Sequence, residues 1–588
     1  MNTKKKNEPW LVFEFANKNG EITPLIFRKP QKVIAAFSIN EVLPCFEQVQ
    51  EEVKNGYYAA GFLSYESAPA FDSAFVTNLN YQMPLIWFGI FSEPEQQCLG
   101  HTGDYKLSDW QSSVSMEEYT QSIEAIKQGI ERGDTYQTNY TIRLHSQFQG
   151  DDFAFFQKLK KAQSSDYCAY INTGEYSILS ASPELFFRLD GDEITTRPMK
   201  GTIKRGKSFE EDEANAHWLY QSEKNRAENV MIVDMLRNDL SVVAELGTVK
   251  VPKLYEIEPY PTVYQMTSTI TAKVAENKGI VDIFKALFPC ASITGAPKVS
   301  TMKIIDHLEK QPREVYCGAI GYISPNKEAV FNVPIRTVLI DQQKGMATYG
   351  VGGGITWDST SRGEYDEVLA KASLLEEDRP EFQLLESILL DDGKYFLLTE
   401  HLDRLKKSAK YFGFSIQMEE LQKSLDGFAG QNSSGKFKVR LTITKNGEVT
   451  LDAQPVIAPS SILKVQLASK PIDSNNPFLY HKTTNRSIYT AFQKDKPSYV
   501  FDVLLWNEDE ELTEFTNGNL VLEIEGELWT PPVESGLLAG TFRERLIKEG
   551  TIREKILTLS DLRVSSKIWF INSVRKWLEV ELVDKKSS

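Results

Sequence analysis

The sequence has 588 residues, which is more than one hydrophobic core normally supports, so at least two domains are expected. Its composition, 41% hydrophobic and 25% charged, is that of a globular protein and excludes the disordered and fibrous classes. A formal net charge of −15 argues against general binding to nucleic acid or to an anionic membrane, because both attract positive protein surfaces.

Cysteines and apolar runs indicate the compartment. The five cysteines lack CxxC spacing, so the sequence predicts neither a zinc site nor a disulfide framework; they are Cys45, Cys98, Cys168, Cys290 and Cys317. Apolar runs such as residues 84–91 are too short to span a bilayer. We therefore expect a cytoplasmic protein that binds neither membrane nor nucleic acid.

The N-terminal region predicts a mixture of sheet and helix. Short β-like runs, such as residues 10–15, continue to about residue 110. Ser115 and Glu118 then form a capping box, and apolar residues at helical spacing predict a helix that ends near Gly133. A strand through residues 140–144 opens an alternation of strands and helices up to about Leu375. This pattern favours an α/β or α+β body with layers of helix on sheet.

A second unit is predicted after the acidic, proline-containing segment at residues 376–381. Residues 437–443 alternate in polarity up to Asn446-Gly447, which is a strong hairpin signal, and further strands with a few helices continue to Leu582. The predicted domains are residues 1–376 and 381–588.

Three acidic residues stand out in the first region. Glu364 and Glu367 are three residues apart on a helix-like run, so both carboxylates can project together, and Glu228 lies in a helical segment at about 223–235. Carboxylates of this kind suit a divalent cation. The alternative is ordinary surface charge, with Glu367 paired to Lys371 four residues further on.

Residues 196–202, 223–229 and 363–367 together resemble the chorismate-utilising enzymes. Lys200 is the lysine of the Pro-Met-Lys-Gly-Thr sequence. In having a lysine at this position, the chain resembles the branch of that family that makes aminodeoxychorismate. The resemblance implies a two-layered sheet-and-helix domain that binds chorismate. Anthranilate-forming relatives lack this lysine, so an anthranilate synthase is the less favoured alternative.

The resemblance implies a role for each of these residues. Lys200 would attack the chorismate ring at C2 and expel the C4 hydroxyl, after which ammonia enters at C4. Glu184 would protonate the leaving oxygen, and Glu228, Glu364 and Glu367 would hold Mg²⁺. The competing interpretation of Lys200 is a solvated lysine in a basic turn.

Further positions match segments that surround chorismate in relatives. The implied substrate contacts are Thr294, Gly295, Tyr322, Arg336, Gly352 and Gly353. A glycine run could equally be a tight bend at a strand end. Gln137 stands where water-using relatives carry a lysine, which argues against water as the nucleophile. Gln265 and Asn225 depart from the family pattern, in which many relatives have a histidine and several have an acid.

The source of ammonia is also implied. No cysteine of this chain lies in a Gly-x-Cys-x-Gly nucleophile turn. The resemblance therefore implies ammonia delivered by a separate glutamine amidotransferase subunit.

Residues 481–486, 512–514 and 540–543 resemble aminodeoxychorismate lyases of the class IV pyridoxal-phosphate aminotransferase family. The implied fold is a two-part α+β domain, and a homodimer through it is expected. The implied site residues are Lys482 as Schiff-base lysine, Glu514 at the pyridine nitrogen, and Arg404, Thr541, Phe542 and Ser573 at the phosphate of pyridoxal 5′-phosphate. Individually, Lys482 could be a loop lysine, Arg404 could pair with a helix neighbour, and Glu514 could cap a turn.

The combined expectation is a bifunctional enzyme that converts chorismate and ammonia to 4-aminobenzoate and pyruvate for folate synthesis. The alternatives are an anthranilate synthase-like domain fused to a class IV aminotransferase, and a C-terminal half that acts as a non-catalytic scaffold. The motifs alone leave lyase and transaminase activity open for the C-terminal domain.

Overall fold

The computed structural model describes residues 8–95, 103–459, 461–494 and 496–583; Cys98 lies outside them. This part of the chain separates into two compact units. The first contains the described residues of Met1–Lys204 and Ala216–Arg379, and the second contains Arg205–Asn215 and those of Pro380–Ser588. Residues 205–215 therefore group with the C-terminal part of the chain, although in sequence they interrupt the first unit.

The strands up to residue 379 are β1 Trp10–Phe15, β2 Leu25–Arg28, β3 Lys32–Ala36, β4 Tyr58–Leu63, β5 Ile86–Phe91, β6 Tyr105–Leu107, β7 Gln111–Ser112, β8 Gln137–Gly150, β9 Tyr167–Asn172, β10 Tyr176–Ser182, β11 Leu185–Asp190, β12 Glu193–Arg197, β13 Met199–Lys204, β14 Lys250–Pro259, β15 Val263–Lys273, β16 Gly295–Ala296, β17 Ala319–Ile323, β18 Glu328–Asn332, β19 Thr337–Asp341 and β20 Met346–Ile355. The helices are α1 Ile39–Lys54, α2 Met116–Glu131, α3 Asp152–Gln163, α4 Phe209–Gln221, α5 Glu223–Ser241, α6 Ile280–Leu287, α7 Lys298–Leu308 and α8 Ser361–Ala372.

These strands form two ten-stranded antiparallel sheets. One has the order β16-β8-β20-β19-β10-β9-β1-β2, with β6 and β7 paired to β8, and the other has the order β13-β15-β12-β11-β18-β17-β4-β5-β3, with β14 paired to β15. One face of each sheet packs on the other sheet, and each outer face carries helices. The predicted mixed class and helix-on-sheet layers are confirmed.

The sequence of strand β1 is apolar on both faces because each face packs in a hydrophobic core. Val12 packs in the core under helices α2 and α3, whereas Leu11 and Phe13 pack in the core between the sheets. Helix α2 begins at the predicted capping box, because the Ser115 hydroxyl accepts from the Glu118 amide and the Glu118 carboxylate accepts from the Ser115 amide.

The second unit contains the strands β21 Leu384–Asp391, β22 Lys394–Tyr395, β23 Lys436–Ile443, β24 Val449–Pro455, β25 Leu463–Leu467, β26 Asp502–Trp506, β27 Leu512–Phe515, β28 Gly518–Ile524, β29 Glu527–Thr530, β30 Arg553–Glu554, β31 Lys567–Asn572 and β32 Lys576–Leu582. Its helices are α9 Leu398–Phe412, α10 Met418–Gln431, α11 Ser487–Lys494, α12 Thr541–Lys548 and α13 Leu559–Val564.

The second unit has two parts, as expected for its α+β class. A four-stranded sheet of order β22-β21-β23-β24 packs against α9 and α10, and its β23–β24 connection contains the predicted Asn446-Gly447 turn. An eight-stranded sheet of order β27-β26-β25-β32-β31-β28-β29-β30 closes on itself, because β27 also pairs with β28. The closed part is therefore barrel-like. Across the described residues, no helix is long and apolar enough to cross a membrane.

Candidate active sites

The first candidate site is a cavity of about 250 Å³ within the first unit. Strands β8, β13 and β20 and helices α5 and α8 contribute to its wall. The wall includes five residues that the sequence analysis singles out for chemistry: Glu184, Lys200, Glu228, Glu364 and Glu367.

Lys200 lies on β13, and its side chain is 14% exposed. Its Nζ atom is 3.9 Å from Oε2 of Glu228 on α5. Burial lowers the pKa of Lys200, and the neighbouring Glu228 carboxylate opposes that shift. Because a lowered pKa increases the fraction of neutral amine, the environment favours the nucleophilic form.

The glycine run on β20 makes room for side chains. A Cβ atom on Gly354 would overlap Nζ of Lys200 and Nε2 of Gln137. A Cβ atom on Gly353 would lie 3.3 Å from Glu364 Oε2 and 3.7 Å from Glu367 Oε1. Both glycines lie inside a regular strand, so the run is not the tight bend considered above.

Glu184 lies between β10 and β11 and is 3% exposed. Burial raises its pKa to about 7, against the lowering effect of the Ser292 hydroxyl and the Lys200 amine. Its Oε1 atom has no hydrogen-bond partner among the described residues. The side chain is therefore a carboxylic acid that can hold its proton near neutral pH.

The three predicted cation ligands line the same cavity, but lysines or hydroxyls contact them. Glu364 accepts a 2.6 Å hydrogen bond from Ser359, and Glu367 forms a 2.6 Å ion pair with Lys371. The described residues contain no gathered group of three metal-binding side chains. Carboxylate oxygens nevertheless suit Mg²⁺. In this structure Lys200 is the positive partner of Glu228, and Lys371 is the positive partner of Glu367.

Three of the six expected substrate contacts line the cavity, namely Arg336, Gly352 and Gly353. Arg336 also donates a 3.3 Å hydrogen bond to the backbone oxygen of Lys371. Gln265 and Asn225, which depart from the family pattern, also line it; Gln265 accepts from Thr202 at 3.0 Å.

The structure places three expected contacts outside the lining. Thr294 donates to the Cys290 backbone oxygen at 3.2 Å, and Gly295 pairs with Thr138 of β8. The Tyr322 ring lies 5.6 Å from the Phe13 ring in the core between the sheets. Alternation along β17 explains this position, because Ile320 and Tyr322 share the face that packs on the other sheet.

Tyr316, Tyr349 and Asn139 line the cavity, and the sequence analysis missed them. Tyr316 lies against β20, where a Cβ atom on Gly350 would overlap its ring. A glycine opposite a buried aromatic ring is a signal only once the strand pairing is known.

The second candidate site is a cavity of about 520 Å³ within the second unit. Its wall includes five predicted cofactor-binding residues: Arg404, Lys482, Glu514, Thr541 and Ser573. Burial and, to a smaller extent, the nearby Arg404 guanidinium together lower the pKa of Lys482 to about 7. The Lys482 backbone oxygen accepts from the Leu385 amide of β21 at 3.0 Å, which fixes the chain beside the lysine.

Glu514 on β27 is 4% exposed, and two neighbours hold its carboxyl group. Tyr489 donates to Oε1 at 2.8 Å, and Asn519 donates to Oε2 at 3.3 Å. Burial raises the pKa of Glu514 to about 7. A Cβ atom on Gly540 would overlap Oδ1 of Asn519, so glycine is required for this approach.

Arg404 on α9 is held by a buried acid that the sequence analysis missed. Its Nε and Nη2 atoms donate to the two oxygens of Glu386 at 2.8 and 2.6 Å. The same carboxylate contacts His401 Nδ1 at 2.7 Å. Burial alone would raise the pKa of Glu386, but Arg404 and His401 hold it well below its ordinary value.

His401 connects this acid to two hydroxyl groups. A carboxylate only accepts hydrogen bonds, so Nδ1 carries the proton and Nε2 accepts from Ser573 at 3.0 Å and from Thr541 at 3.2 Å. The sequence shows only that His401 lies three residues before Arg404, on the same helix face. Its hydroxyl partners, Thr541 and Ser573, lie far away in the chain.

The residues present fit pyridoxal phosphate. Arg404, the hydroxyls of Ser573 and Thr541, and the first-turn amides of α12 suit a phosphate group, and the buried Glu514 suits a pyridine nitrogen. The predicted Phe542 lies outside the cavity lining, because its side chain packs in the core 6.0 Å from the Phe396 ring.

Four further cations line the second cavity, namely Lys438, Arg440, Arg486 and Arg575. Burial and the neighbouring Arg575 and Arg440 lower the pKa of Lys438. In the sequence, Lys438 and Arg440 are only the polar positions of an alternating strand, so no local pattern predicts this group. The group suits an anionic ligand.

Comparison with known proteins divides the chain into two matched regions. Residues 8–377 match the model of the chorismate binding enzyme family, and residues 383–583 match that of amino-transferase class IV. Aminodeoxychorismate synthase component 1 of Escherichia coli (strain K12) is 41% identical over 280 residues, covering 47% of this chain and 61% of that protein. Anthranilate synthase component 1 of Aquifex aeolicus (strain VF5) is 34% identical over 272 residues, covering 46% of this chain and 54% of that protein.

The fold is also found in solved structures. Anthranilate synthase component I from Streptococcus pneumoniae TIGR4 superposes with a TM-score of 0.51 at 24% identity, covering 63% of this chain and 90% of that one. The matched part spans less than two thirds of the two curated relatives above. The chain belongs to the chorismate binding enzyme family and carries, at residues 383–583, a region of the class IV amino-transferase family.

Proposed function

We propose that the chain makes 4-aminobenzoate from chorismate and ammonia in two steps, the first within residues 1–376 and the second within residues 381–588. The observation that carries the proposal is the pairing, in one cavity, of the Lys200 amine with the buried acid Glu184. The relatives named aminodeoxychorismate synthase component 1 support the same first reaction.

In the first step, the neutral Lys200 amine forms a bond to ring carbon C2 of chorismate, and its extra proton passes to Glu184 once Glu184 has protonated the leaving oxygen. Both ring double bonds shift, the bond from C4 to oxygen breaks, and Glu184 gives its proton to that oxygen, which leaves as water. Ammonia then bonds to C4, both double bonds return, and the bond between Lys200 and C2 breaks. Glu184 gives its proton to the departing Lys200 nitrogen and takes one proton from the new ammonium group at C4. The product is 4-amino-4-deoxychorismate.

Glu228, Glu364 and Glu367 would hold the magnesium ion, which supplies charge neutralisation for a substrate carboxylate. The ion pairs of Glu228 with Lys200 and of Glu367 with Lys371 would give way when the cation binds. Release from Glu228 would also remove the carboxylate that keeps the Lys200 amine charged.

In the second step, bound pyridoxal phosphate supplies the electron sink for breaking a C–H bond. Lys482 would hold the cofactor until the substrate amine displaces it. Its freed amine would then take the proton from the ring carbon that bears the substrate amine and return a proton to the departing enolpyruvyl group, which leaves as pyruvate. Glu514 keeps the pyridine nitrogen protonated, while Arg404, Thr541 and Ser573 hold the phosphate. Lys438 and Arg440 face an anionic substrate, which agrees with the carboxylates of 4-amino-4-deoxychorismate.

Ammonia is proposed to come from a glutamine amidotransferase subunit, in line with the component 1 naming of the relatives. Free ammonium replaces that subunit in a purified assay. A homodimer through the second domain stays a prediction.

The decisive experiment incubates the purified chain with chorismate, Mg²⁺ and ammonium, with and without pyridoxal phosphate. We expect 4-aminobenzoate and pyruvate with the cofactor and 4-amino-4-deoxychorismate without it. Anthranilate has the same mass as 4-aminobenzoate but separates from it by chromatography. Anthranilate as the product would replace the proposal with the anthranilate synthase alternative, and absence of any aromatic product with the cofactor would leave the second half as a scaffold.

Matched variants assign the two lysines. Lys200→Ala should stop formation of 4-amino-4-deoxychorismate, whereas Lys204→Ala, an exposed position on the same strand, should retain it. Lys482→Ala should abolish the second reaction, so that 4-amino-4-deoxychorismate accumulates. Full activity of Lys200→Ala would remove Lys200 from the reaction.

A further inference from the structure

A short loop that precedes helix α4 is closed by a buried ion pair. Arg205 donates through Nε and Nη2 to the two oxygens of Asp212, both at 2.6 Å, and the two side chains are 7% and 2% exposed. The Gly206 amide also donates to Asp212 at 2.9 Å, and a Cβ atom on Gly206 would overlap the Asp212 backbone. Bidentate geometry and burial make this loop a rigid element of the second unit.

The loop holds the last turn of helix α9 through Tyr411. The Arg205 guanidinium lies 4.4 Å from the centre of the Tyr411 ring, and Arg205 Nη2 donates to the Tyr411 backbone oxygen at 2.8 Å. In return, the Tyr411 hydroxyl donates to the Gly206 backbone oxygen at 2.8 Å. Three contacts therefore join the loop to one residue, so the position of Tyr411 depends on the loop.

Tyr411 in turn packs on the residue next to the second-site lysine. The ring of His481 lies 4.1 Å from the Tyr411 ring, and its Nδ1 atom is 3.1 Å from the Ser408 hydroxyl. His481 is 3% exposed, and burial lowers its pKa to about 4, so it packs as a neutral ring at pH 7. The next residue is Lys482, whose backbone oxygen is held from the other side by Leu385.

We infer that the loop closed by Arg205 and Asp212 is a positioning element of the second site, which fixes the Lys482 backbone through Tyr411 and His481. The inference rests on the proposed role of Lys482 as the lysine that binds pyridoxal phosphate. The residues act at a distance, so none of them is a catalytic residue. The loop falls inside residues 8–377, which match the chorismate binding enzyme model, yet it belongs to the second unit.

The test measures covalent capture of pyridoxal phosphate by the full-length chain. The protein is mixed with pyridoxal phosphate and reduced with borohydride at timed intervals, and the label on Lys482 is quantified by peptide mass spectrometry. Removal of one partner of a buried ion pair leaves an unpaired charge, so the paired variant Arg205→Met with Asp212→Leu is preferred because it removes both charges. We expect its labelling to be about tenfold slower than in the unchanged chain, because small displacements of a reacting group have large effects on rate.

Two further variants separate positioning from general damage. Lys410→Ala breaks an exposed 2.7 Å ion pair between α9 and Glu213 of the same segment, and its labelling rate should be unchanged. His481→Ala should slow labelling as the paired variant does, whereas His481→Phe keeps a ring against Tyr411 and should restore most of the rate.

A second readout needs no cofactor. Amide hydrogen exchange of the peptide at 480–486 should be faster in the paired variant than in the unchanged chain, while peptides of the first unit keep their protection. Equal labelling and equal exchange in the two proteins would overturn the inference. Absence of label on Lys482 in the unchanged chain would instead refute the proposed second function, which distinguishes the two failures.

Discussion

A methyl group on Gly354 would occupy the space of the Lys200 amine. The glycine lies in regular extended backbone, and the atoms that a Cβ would meet are the ends of two flexible side chains, Lys200 and Gln137. We expect Gly354→Ala to fold normally but to displace the amine, with a loss of about 100-fold in formation of 4-amino-4-deoxychorismate. Steady-state rates with ammonium and the unfolding temperature measure the two effects.

The control for that variant is Gly427→Ala. Gly427 lies in helix α10, and a Cβ atom there would meet nothing within 4 Å. Alanine in place of a helical glycine should stabilise the protein by about 0.5–1 kcal/mol without any change in rate. If Gly354→Ala keeps the rate of the control, the overlap with Lys200 has no importance for the reaction.

Glu184 gives the first reaction a pH limit. Its pKa of about 7 means that the protonated form, which the leaving oxygen requires, is lost as pH rises through about 7. The rate of the first step should therefore fall on the alkaline side, and Glu184→Gln should be inactive at every pH. A pH–rate profile that is flat from pH 6 to 9 would contradict the role of Glu184.

Glu184 also affects the stability of the fold, and here Glu184→Gln should improve stability although it abolishes activity. Between the ordinary pKa of 4.5 and the folded-state value of about 7, the unfolded chain releases the proton and the folded chain keeps it, so stability falls as pH rises. Glu184→Gln avoids this loss. Its unfolding temperature should exceed that of the unchanged chain at pH 8, and the difference should disappear near pH 4.

The acid that holds Arg404 should control cofactor affinity. Glu386→Gln weakens the hydrogen bonds to both Arg404 and His401. We expect pyridoxal phosphate to bind about 10- to 100-fold more weakly, because losing a residue that orients binding side chains typically has an effect of this size. Fluorescence titration measures the dissociation constant. Asp403→Ala, an exposed neighbour of Arg404 on the same helix, is the control and should bind normally.

Removal of divalent cations should separate the two reactions. A chelator should stop the formation of 4-amino-4-deoxychorismate, because the proposed cation ligands lie only in the first cavity. Conversion of added 4-amino-4-deoxychorismate to 4-aminobenzoate should continue at its normal rate. Glu364→Gln should raise the Mg²⁺ concentration that gives half-maximal rate, and an unchanged requirement would remove Glu364 from the proposed site.

Local sequence signals predicted local structure well. The capping box at Ser115 marks the start of α2, and Asn446-Gly447 forms the connection between β23 and β24. The helix expected at about 223–235 extends to Ser241. Fixed spacing on one helix likewise brought Glu364 and Glu367 to the same cavity and gave the Glu367–Lys371 ion pair.

Features that depend on pairing between distant strands were beyond the sequence. Tyr322 matched a family segment, but the face of β17 that carries it turns to the other sheet, which no local pattern reveals. Glu386 lies in an apolar strand fifteen residues before His401 and reads as a lone acid, and only the folded chain shows that it holds His401 and Arg404.

The order of synthesis gives residues 205–215 a further consequence. Chains emerge from the ribosome N-terminus first, so this segment is made long before the rest of the unit to which it belongs. The second unit can complete its packing only after its strand β32, at residues 576–582, has been translated. A gene cut at codon 380 would yield a C-terminal fragment without Arg205 and Asp212, and splitting the two activities into separate polypeptides would require new residues to replace that loop.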